Sequence, residues 1–325
     1  MHTRMRFGVF VPQGWRMDLA ELADPVAQYE AMTNVAKVAD QLEVFDSIWV
    51  YDHFHTIPQP TLNTTFECWS ITAALARDTS RVNIGQMVTC NGYRNPALLA
   101  KMASTVDVLS HGRLYCGLGA GWYEHEWRAY GYGFPETRER MRMFREACAI
   151  IMKMWTEDEP EFRGEHYTID KPINEPKGAR KGRDGKPHPS FWIGGSGEQV
   201  TLKLVARFAD ACNVGGGDPD ATERKLAVLR RHCDEVGRDY DAIIKSTSIE
   251  DIVLVRRGET PEAAVERADS ATGVGFVGTP EALVERLRAL AGRGIDYVIV
   301  SFPRLAYDLE PLYRFADEVA PLVSG

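Results

Sequence analysis

The stretch RLYCGLGAGWYEHEWRAYG, residues 113–131, decides how the rest of the chain is read. It opens on the short apolar run 113–116 and passes into glycines at 117, 119 and 121, where the backbone can turn sharply and lie close to a bound planar ring because no Cβ intervenes. A dinucleotide turn needs a helix opening at once and an acidic residue about 20 residues further on. Here the glycines lead instead into Trp122, Tyr123, Glu124, His125, Glu126 and Trp127, a mixture of aromatic and ionisable groups unlike a first helical turn packed on a sheet. They read as a ligand-holding loop at a strand end, with a ligand-free tight loop as the plainer alternative.

Working outward, short β-rich apolar runs alternate with runs of helical period, the pattern of βαβ units around a parallel sheet. Strands are expected at 6–11, 47–51, 82–88, 114–117, 191–193, 210–214, 246–255 and 297–301. Helices fit between and after them at 25–42, 66–78, 96–109, 137–155, 198–208, 219–236, 280–291 and 309–319. Proline stands at the first turn at 25, 96, 219 and 280, and Met141, Phe144, Cys148, Ile151 and Trp155 form an apolar stripe at helical spacing. Eight such units define the fold class α/β, a (β/α)8 TIM barrel, as a single domain over residues 1–325. An insertion at 158–189 falls outside the pattern. It holds a possible hairpin at 161–169 and then EPKGARKGRDGKPHP, whose Lys177, Arg180, Lys181, Arg183 and Lys186 read either as a lid or cofactor-tail loop meeting an anion at the barrel mouth, or as a solvated excursion.

With 325 residues, 44% of them hydrophobic, the chain can bury a full core, and its net charge of −8 argues against nucleic acid or an anionic membrane as the main partner. A small molecule is expected. The six cysteines are scattered and read as reduced thiols. No apolar run approaches membrane-spanning length, and the opening MHTRMRFGVFVPQ lacks a signal-peptide core, so a cytoplasmic location is expected.

In a parallel barrel the chemistry sits where strands end. Those positions carry Gln13 and Trp15, then Asp52, His53 and His55, then Thr89, Asn91, Tyr93 and Arg94, then the glycine and aromatic run, then GGSGE at 194–198. Glycines with a serine at a helix N-terminus present free N–H groups to an anion, so a phosphate is expected at GGSGE, or else Ser196 is an ordinary N-cap. His53 is the acid/base candidate, with a structural strand-end histidine as the alternative. The pair His53 and His55 also fits a zinc hydrolase, for which Glu124 and His125 are the remaining ligand candidates.

Together these segments resemble the luciferase-like monooxygenase family, specifically its branch of oxidoreductases dependent on the deazaflavin coenzyme F420. RFGVFVPQGW, IWVYDHFH, the run from YRNPALLAKMAS through GAGWYEHEWRAYG, PHPSFWIGGSGE and VGTPEALVERLRAL carry the likeness, which extends from Arg6 to Pro321. The resemblance implies the (β/α)8 barrel with its insertion between the fourth and fifth units, and a cis peptide at Met87-Val88 pressing on the cofactor ring. It implies that Asp52 and His53 lie beside the ring, Thr89 and Asn91 near its edge, and Ala120, Gly121 and Trp122 along the opposite rim. Gly195, Ser196, Gly197 and Glu198 would hold the phosphate, with Tyr93 and Arg94 as further contacts.

The implied activity is hydride transfer between F420 and a small organic substrate, with His53 moving the proton and no metal. Candidates to meet the substrate are Gln13, Trp15, His55, Tyr123, Glu124 and His125. Two departures speak against sugar-phosphate oxidation: the F420-dependent glucose-6-phosphate dehydrogenases carry a glutamate where this chain has Ala120 and a tryptophan where it has Ile57. The rivals are an FMN-dependent flavin monooxygenase of the same family and a cofactor-binding protein without turnover. A homodimer is expected from the family alone.

Overall fold

The computed structural model describes residues 5–182 and 185–323. Eight parallel strands run around one axis: β1 (Arg6–Phe10), β2 (Phe45–Val50), β3 (Asn83–Gln86), β4 (Leu114–Gly119), β5 (Ser190–Gly194), β6 (Ala211–Asn213), β7 (Ile244–Ile249) and β8 (Tyr297–Val300). Each pairs with the next, and β8 returns to β1 with Arg6 opposite Tyr297 and Val9 opposite Val300, which closes the barrel and removes its edges. This is the (β/α)8 TIM barrel that the alternation predicts.

The helices form where the local signals place them. Pro25–Gln41, Pro96–Leu109, Pro219–Val236 and Pro280–Gly292 all open on proline, whose missing N–H costs nothing in the first turn. The residue before each (Asp24, Asn95, Asp218 and Thr279) accepts hydrogen bonds from first-turn N–H groups. Helix Thr137–Thr156 buries Phe144, Cys148, Ile151 and Trp155, most of the expected stripe.

Three differences from the sequence reading bear on the site. The run 246–255 is two strands, because Asp251 adopts a left-handed φ of 50° after β7 and turns Ile252–Leu254 away to pair with Phe276–Gly278 outside the barrel. Helices Glu124–Ala129 and Pro261–Ala268 are additional, the first lying directly after the glycine run. The helix expected from 198 starts at Thr201, leaving Ser196–Val200 as an uncapped approach.

Inside the barrel, Trp49 lies with its ring centroid 4.9 Å from Trp192 and 5.9 Å from Tyr115. Glycines on the neighbouring strands make room for it: a Cβ at Gly8 or Gly85 would lie 2.3 Å from Trp49 side-chain atoms. Asp46, early in β2, accepts hydrogen bonds from Tyr297 (2.8 Å) and Tyr115 (3.1 Å) at the amino end of the barrel.

The basic insertion belongs to that same end, which corrects the expectation of a lid or tail loop at the mouth. The Arg180 guanidinium lies 5.1 Å over the Tyr115 ring and donates to Asn83 Oδ1 (2.8 Å) and the Gly112 carbonyl (2.9 Å). Asp107 accepts from the Ala179 and Arg180 N–H groups, and Lys177 donates to the Glu157 carbonyl. Lys186 donates to the Thr156 carbonyl, Lys181 forms an antiparallel bridge with Pro187, and Arg183 lies outside the described residues. The hairpin itself pairs Glu161–Arg163 with Thr168–Asp170. The contacts of Arg180 with Asn83, Gly112 and Tyr115, and of the 179–180 backbone with Asp107, thus pack this part of the insertion against the amino end of the barrel. Arg180→Ala is expected to lower the stability measured by urea denaturation by about 1–3 kcal/mol, with ligand affinity at the opposite mouth unchanged. A loss of affinity at constant stability would return the loop to the mouth.

Candidate active site

A cavity of about 720 Å³ opens at the carboxyl ends of the strands. Its walls come from nearly every unit: Trp15 after β1, Asp52 and His53 after β2, Met87 and Val88 after β3, Gly119 to Tyr123 from β4, Gly194 and Gly195 from β5, and Asn213, Ser248 and Glu250 from β6 and β7. Thr201, Gly216 and Arg286 line it as well. Its size suits a multi-ring ligand with a substrate beside it.

The Met87-Val88 peptide is cis, as the resemblance implies. Val88 fits between two glycines: a Cβ at Gly119 would lie 2.5 Å from its Cγ2, and one at Gly194 2.6 Å from its Cγ1. The absence of side chains at Gly119 and Gly194 is therefore what lets β3 end in a bulge within the cavity wall.

His53 is positioned from three sides. Its imidazole stacks on Trp15 with centroids 4.1 Å apart and planes 2° from parallel, and the edges of Trp122 and Tyr123 lie at 5.7 and 5.8 Å. Nδ1 is 2.8 Å from Glu126 Oε2. Glu126 is fully buried and also accepts from Tyr93 Oη (2.8 Å) and from the N–H groups of Phe54 (2.7 Å) and His55 (2.8 Å). Burial opposes its charge, but the bonds from His53, His55 and Phe54 outweigh burial and hold the carboxyl below its ordinary pKa. An ionised carboxylate only accepts, so Nδ1 carries the proton, and Nε2 has no protein partner among the described residues. Glu126 comes from the short helix Glu124–Ala129, and the sequence reading did not assign it a role at His53; an acidic residue one turn into an aromatic run was the available signal.

Asp52 points elsewhere, as strand alternation suggests. Arg94 clamps it bidentately at 2.6 and 3.0 Å, and the Cys90 N–H donates to it at 2.8 Å. Burial raises its pKa more than Arg94 lowers it. Arg94 also pairs with Glu67, which caps helix Cys68–Asp78. Asp52 lines the cavity as part of this locked ion pair.

Several predicted contacts lie away from the cavity. Gln13 spends its amide on the Tyr51 and Phe66 carbonyls and the Tyr51 N–H, tying the first loop to the second. Glu124 pairs with Arg128 on the surface, and His55 and His125 meet each other at 3.1 Å between Nδ1 atoms. His53 and His55 thus turn to different partners, and the His-x-His spacing does not converge on one point. Thr89 is buried under the Trp69 indole N–H, and Asn91 lies 3.5 Å from Tyr167 Oη. Of GGSGE, only Gly194 and Gly195 line the cavity. Ser196 is not an N-cap; its Oγ accepts from the Gly215 N–H at 3.4 Å, while Gly197 is exposed and Glu198 turns out to Lys225. The anion-compatible end is therefore Gly195, Thr201 and Gly216 with Arg286, whose guanidinium donates to the Gly217 carbonyl at 2.9 Å. Thr201, the first residue of its helix, and Arg286, within Pro280–Gly292, carry no local motif that marks them in the sequence.

The fold and the strand-end cleft define a (β/α)8 barrel whose cavity lies at the carboxyl ends of its strands, with the cis Met87-Val88 peptide in its wall. The luciferase-like monooxygenase model matches residues 5–272, and the chain belongs to that family. The F420-dependent glucose-6-phosphate dehydrogenase of Segniliparus rotundus is 32% identical over 219 residues, covering 65% of this chain and 62% of that protein, so the match spans less than two thirds of the relative's length. The FMNH2-dependent dimethylsulfone monooxygenase of Pseudomonas putida is 25% identical, covering 71% of this chain and 72% of its own. Among solved structures, an F420-dependent secondary alcohol dehydrogenase in complex with an F420-acetone adduct superposes with a TM-score of 0.77 at 19% identity, covering 99% and 100% of the two chains. At that identity the likeness shows the fold. No helix of the described residues is long and apolar enough to cross a membrane.

Because the folded-state pKa of Glu126 is depressed, its charge stabilises the protein above the ordinary carboxylate value of 4.5, and that contribution fades as pH falls through the folded value. Glu126→Gln is expected to cost about 1–3 kcal/mol near neutrality, since one amide cannot satisfy four donors. The gap between wild type and variant in urea midpoint should shrink from pH 6 to pH 3. A gap independent of pH would show that Glu126 is not ionised in the fold.

Proposed function

We propose that the protein is an F420-dependent oxidoreductase that moves a hydride between the deazaflavin and a small, uncharged alcohol or carbonyl compound. The observation that carries this reading is His53: its Nδ1–H is fixed by buried Glu126, its face is fixed by Trp15, and its Nε2 is left for the cavity. F420, when bound, supplies a carbon that accepts or donates hydride. The residues present fit such a group. The Met87-Val88 bulge and Gly119 to Gly121 would meet its ring, and Gly195, Thr201, Gly216 and Arg286 its phosphate end. The buried Trp15 Nε1 and Tyr51 Oη have no partner among the described residues, so they remain available to a ligand in the same cavity.

The chain's own work is then positional. Trp15 covers one face of His53, with Trp122 and Tyr123 at its edges, and Nε2 takes a proton from an alcohol during oxidation or returns it to a carbonyl oxygen during reduction. Glu126 stabilises the imidazolium in either direction. Among the described residues the one Arg or Lys lining the cavity, Arg286, is bonded to Gly217, and the two acids lining it, Asp52 and Glu250, are paired with Arg94 and Arg16. A sugar phosphate therefore finds no free counter-charge on the substrate side.

A second reading, an FMN-dependent monooxygenase, draws on the dimethylsulfone monooxygenase relatives. Titration with F420 and separately with FMN, read by quenching of Trp15 and Trp122 fluorescence, distinguishes the two: tighter F420 binding is expected, and a preference for FMN would contradict the proposal. With reduced F420 and a panel of neutral ketones, His53→Asn is expected to lower turnover at least about 100-fold while F420 affinity changes little. F420-linked oxidation of glucose 6-phosphate should stay at background.

A further inference from the structure

Gly216, which lines the cavity, stands three residues before helix Pro219–Val236, and one face of that helix is basic. Lys225 Nζ lies 2.7 Å from Glu198 Oε1, three residues along from cavity-lining Gly195. His232, seven residues and two turns further on, donates from Nε2 to the Glu198 carbonyl at 2.8 Å. Arg224 and Arg231 occupy the adjoining row with the same spacing, and both are exposed. Lys225, Arg231 and Arg224 together hold the Glu198 carboxyl below the usual carboxylate range.

Three of the four acids of the same helix are paired: Asp220 and Glu223 with Arg293 on a neighbouring helix, each at 3.0 Å, and Glu235 with Lys203 at 3.2 Å and with His232 at 3.3 Å, while Asp234 is exposed. A chain with 46 acidic against 38 basic residues thus gathers three bases around the exposed carboxylate of Glu198, three residues from cavity-lining Gly195. Nothing in the hydride-transfer site uses them.

We propose that Arg224, Lys225 and Arg231 bind the anionic tail of the cofactor beyond its phosphate, Glu198 standing where a tail carboxylate sits in the complex. This rests on the F420 reading: the deazaflavin coenzyme ends in γ-linked glutamates, whereas FMN ends at its phosphate and has nothing to place there. The tail leaves the cavity past Gly195 and Gly216 and exchanges Glu198 for its own carboxylate on Lys225. Exposed pairs of this kind are individually weak and screened by salt, so three of them correspond to roughly a three- to thirtyfold effect at low ionic strength.

The experiment compares F420 carrying several glutamates with the glutamate-free phospholactyl deazaflavin, titrated into the full chain and into the triple variant Arg224→Ala, Lys225→Ala, Arg231→Ala. Wild type is expected to bind the long-tailed form roughly three- to thirtyfold more tightly at low salt, with the gap closing at high salt. The triple variant should bind both forms alike, at the wild-type affinity for the tail-free form, and Glu198→Gln should tighten long-tail binding alone. Equal, tight binding of both forms by wild type would overturn the tail site and leave the F420 reading standing. So would a triple variant that keeps the preference. Binding of FMN but of neither deazaflavin would overturn both.

Discussion

One buried carboxylate organises the upper half of this barrel. Glu126 accepts four hydrogen bonds, from the His53 imidazole, the Tyr93 hydroxyl and the N–H groups of Phe54 and His55, so the segments following β2, β3 and β4 are tied at a single point. A fully buried charge is tolerated only when its lone pairs are satisfied, and satisfying them fixes the loops that supply the donors. The same constraint sets the His53 tautomer. Loop geometry and the orientation of the His53 imidazole are two results of one network.

Around this point the barrel is closed below and open above. Trp49 fills the axis in the space that Gly8 and Gly85 leave, the Asp46 carboxylate gathers Tyr115 and Tyr297, and Arg180 of the insertion covers Tyr115. Ligand access is therefore confined to the carboxyl ends of the strands, where the Met87-Val88 bulge, the glycines of β4 and β5 and the aromatic group around His53 meet. Around His53 the cavity wall is aromatic, from Trp15, Trp122 and Tyr123, and among the described residues Arg286 is the one Lys or Arg in the lining.

What could be read from the chain was what depends on near neighbours. Asp24-Pro25, Asn95-Pro96, Asp218-Pro219 and Thr279-Pro280 each cap and open a helix within four residues, and the stripe through Phe144 and Trp155 needs only helical period. The barrel follows from repeating such units. The partner of His53 could not be found in this way, because Glu126 lies 73 residues away on a helix of six residues, too short to show a period. Gln13 and Glu198 stand at strand-end positions that suggest ligand contact, yet backbone carbonyls and Lys225 claim them. The insertion reads as either a mouth loop or a solvated excursion for the same reason: its charge is local information, and the Asn83, Gly112 and Tyr115 groups that capture Arg180 at the amino end are not.

The most direct test of the central claim is a crystal structure of the protein with F420 bound. The account predicts the deazaflavin ring against the Met87-Val88 bulge, with His53 Nε2 directed into the space beside the ring and the His53–Glu126 bond intact. A ring seated away from His53, or a His53 imidazole turned so that Glu126 no longer holds Nδ1, would contradict it.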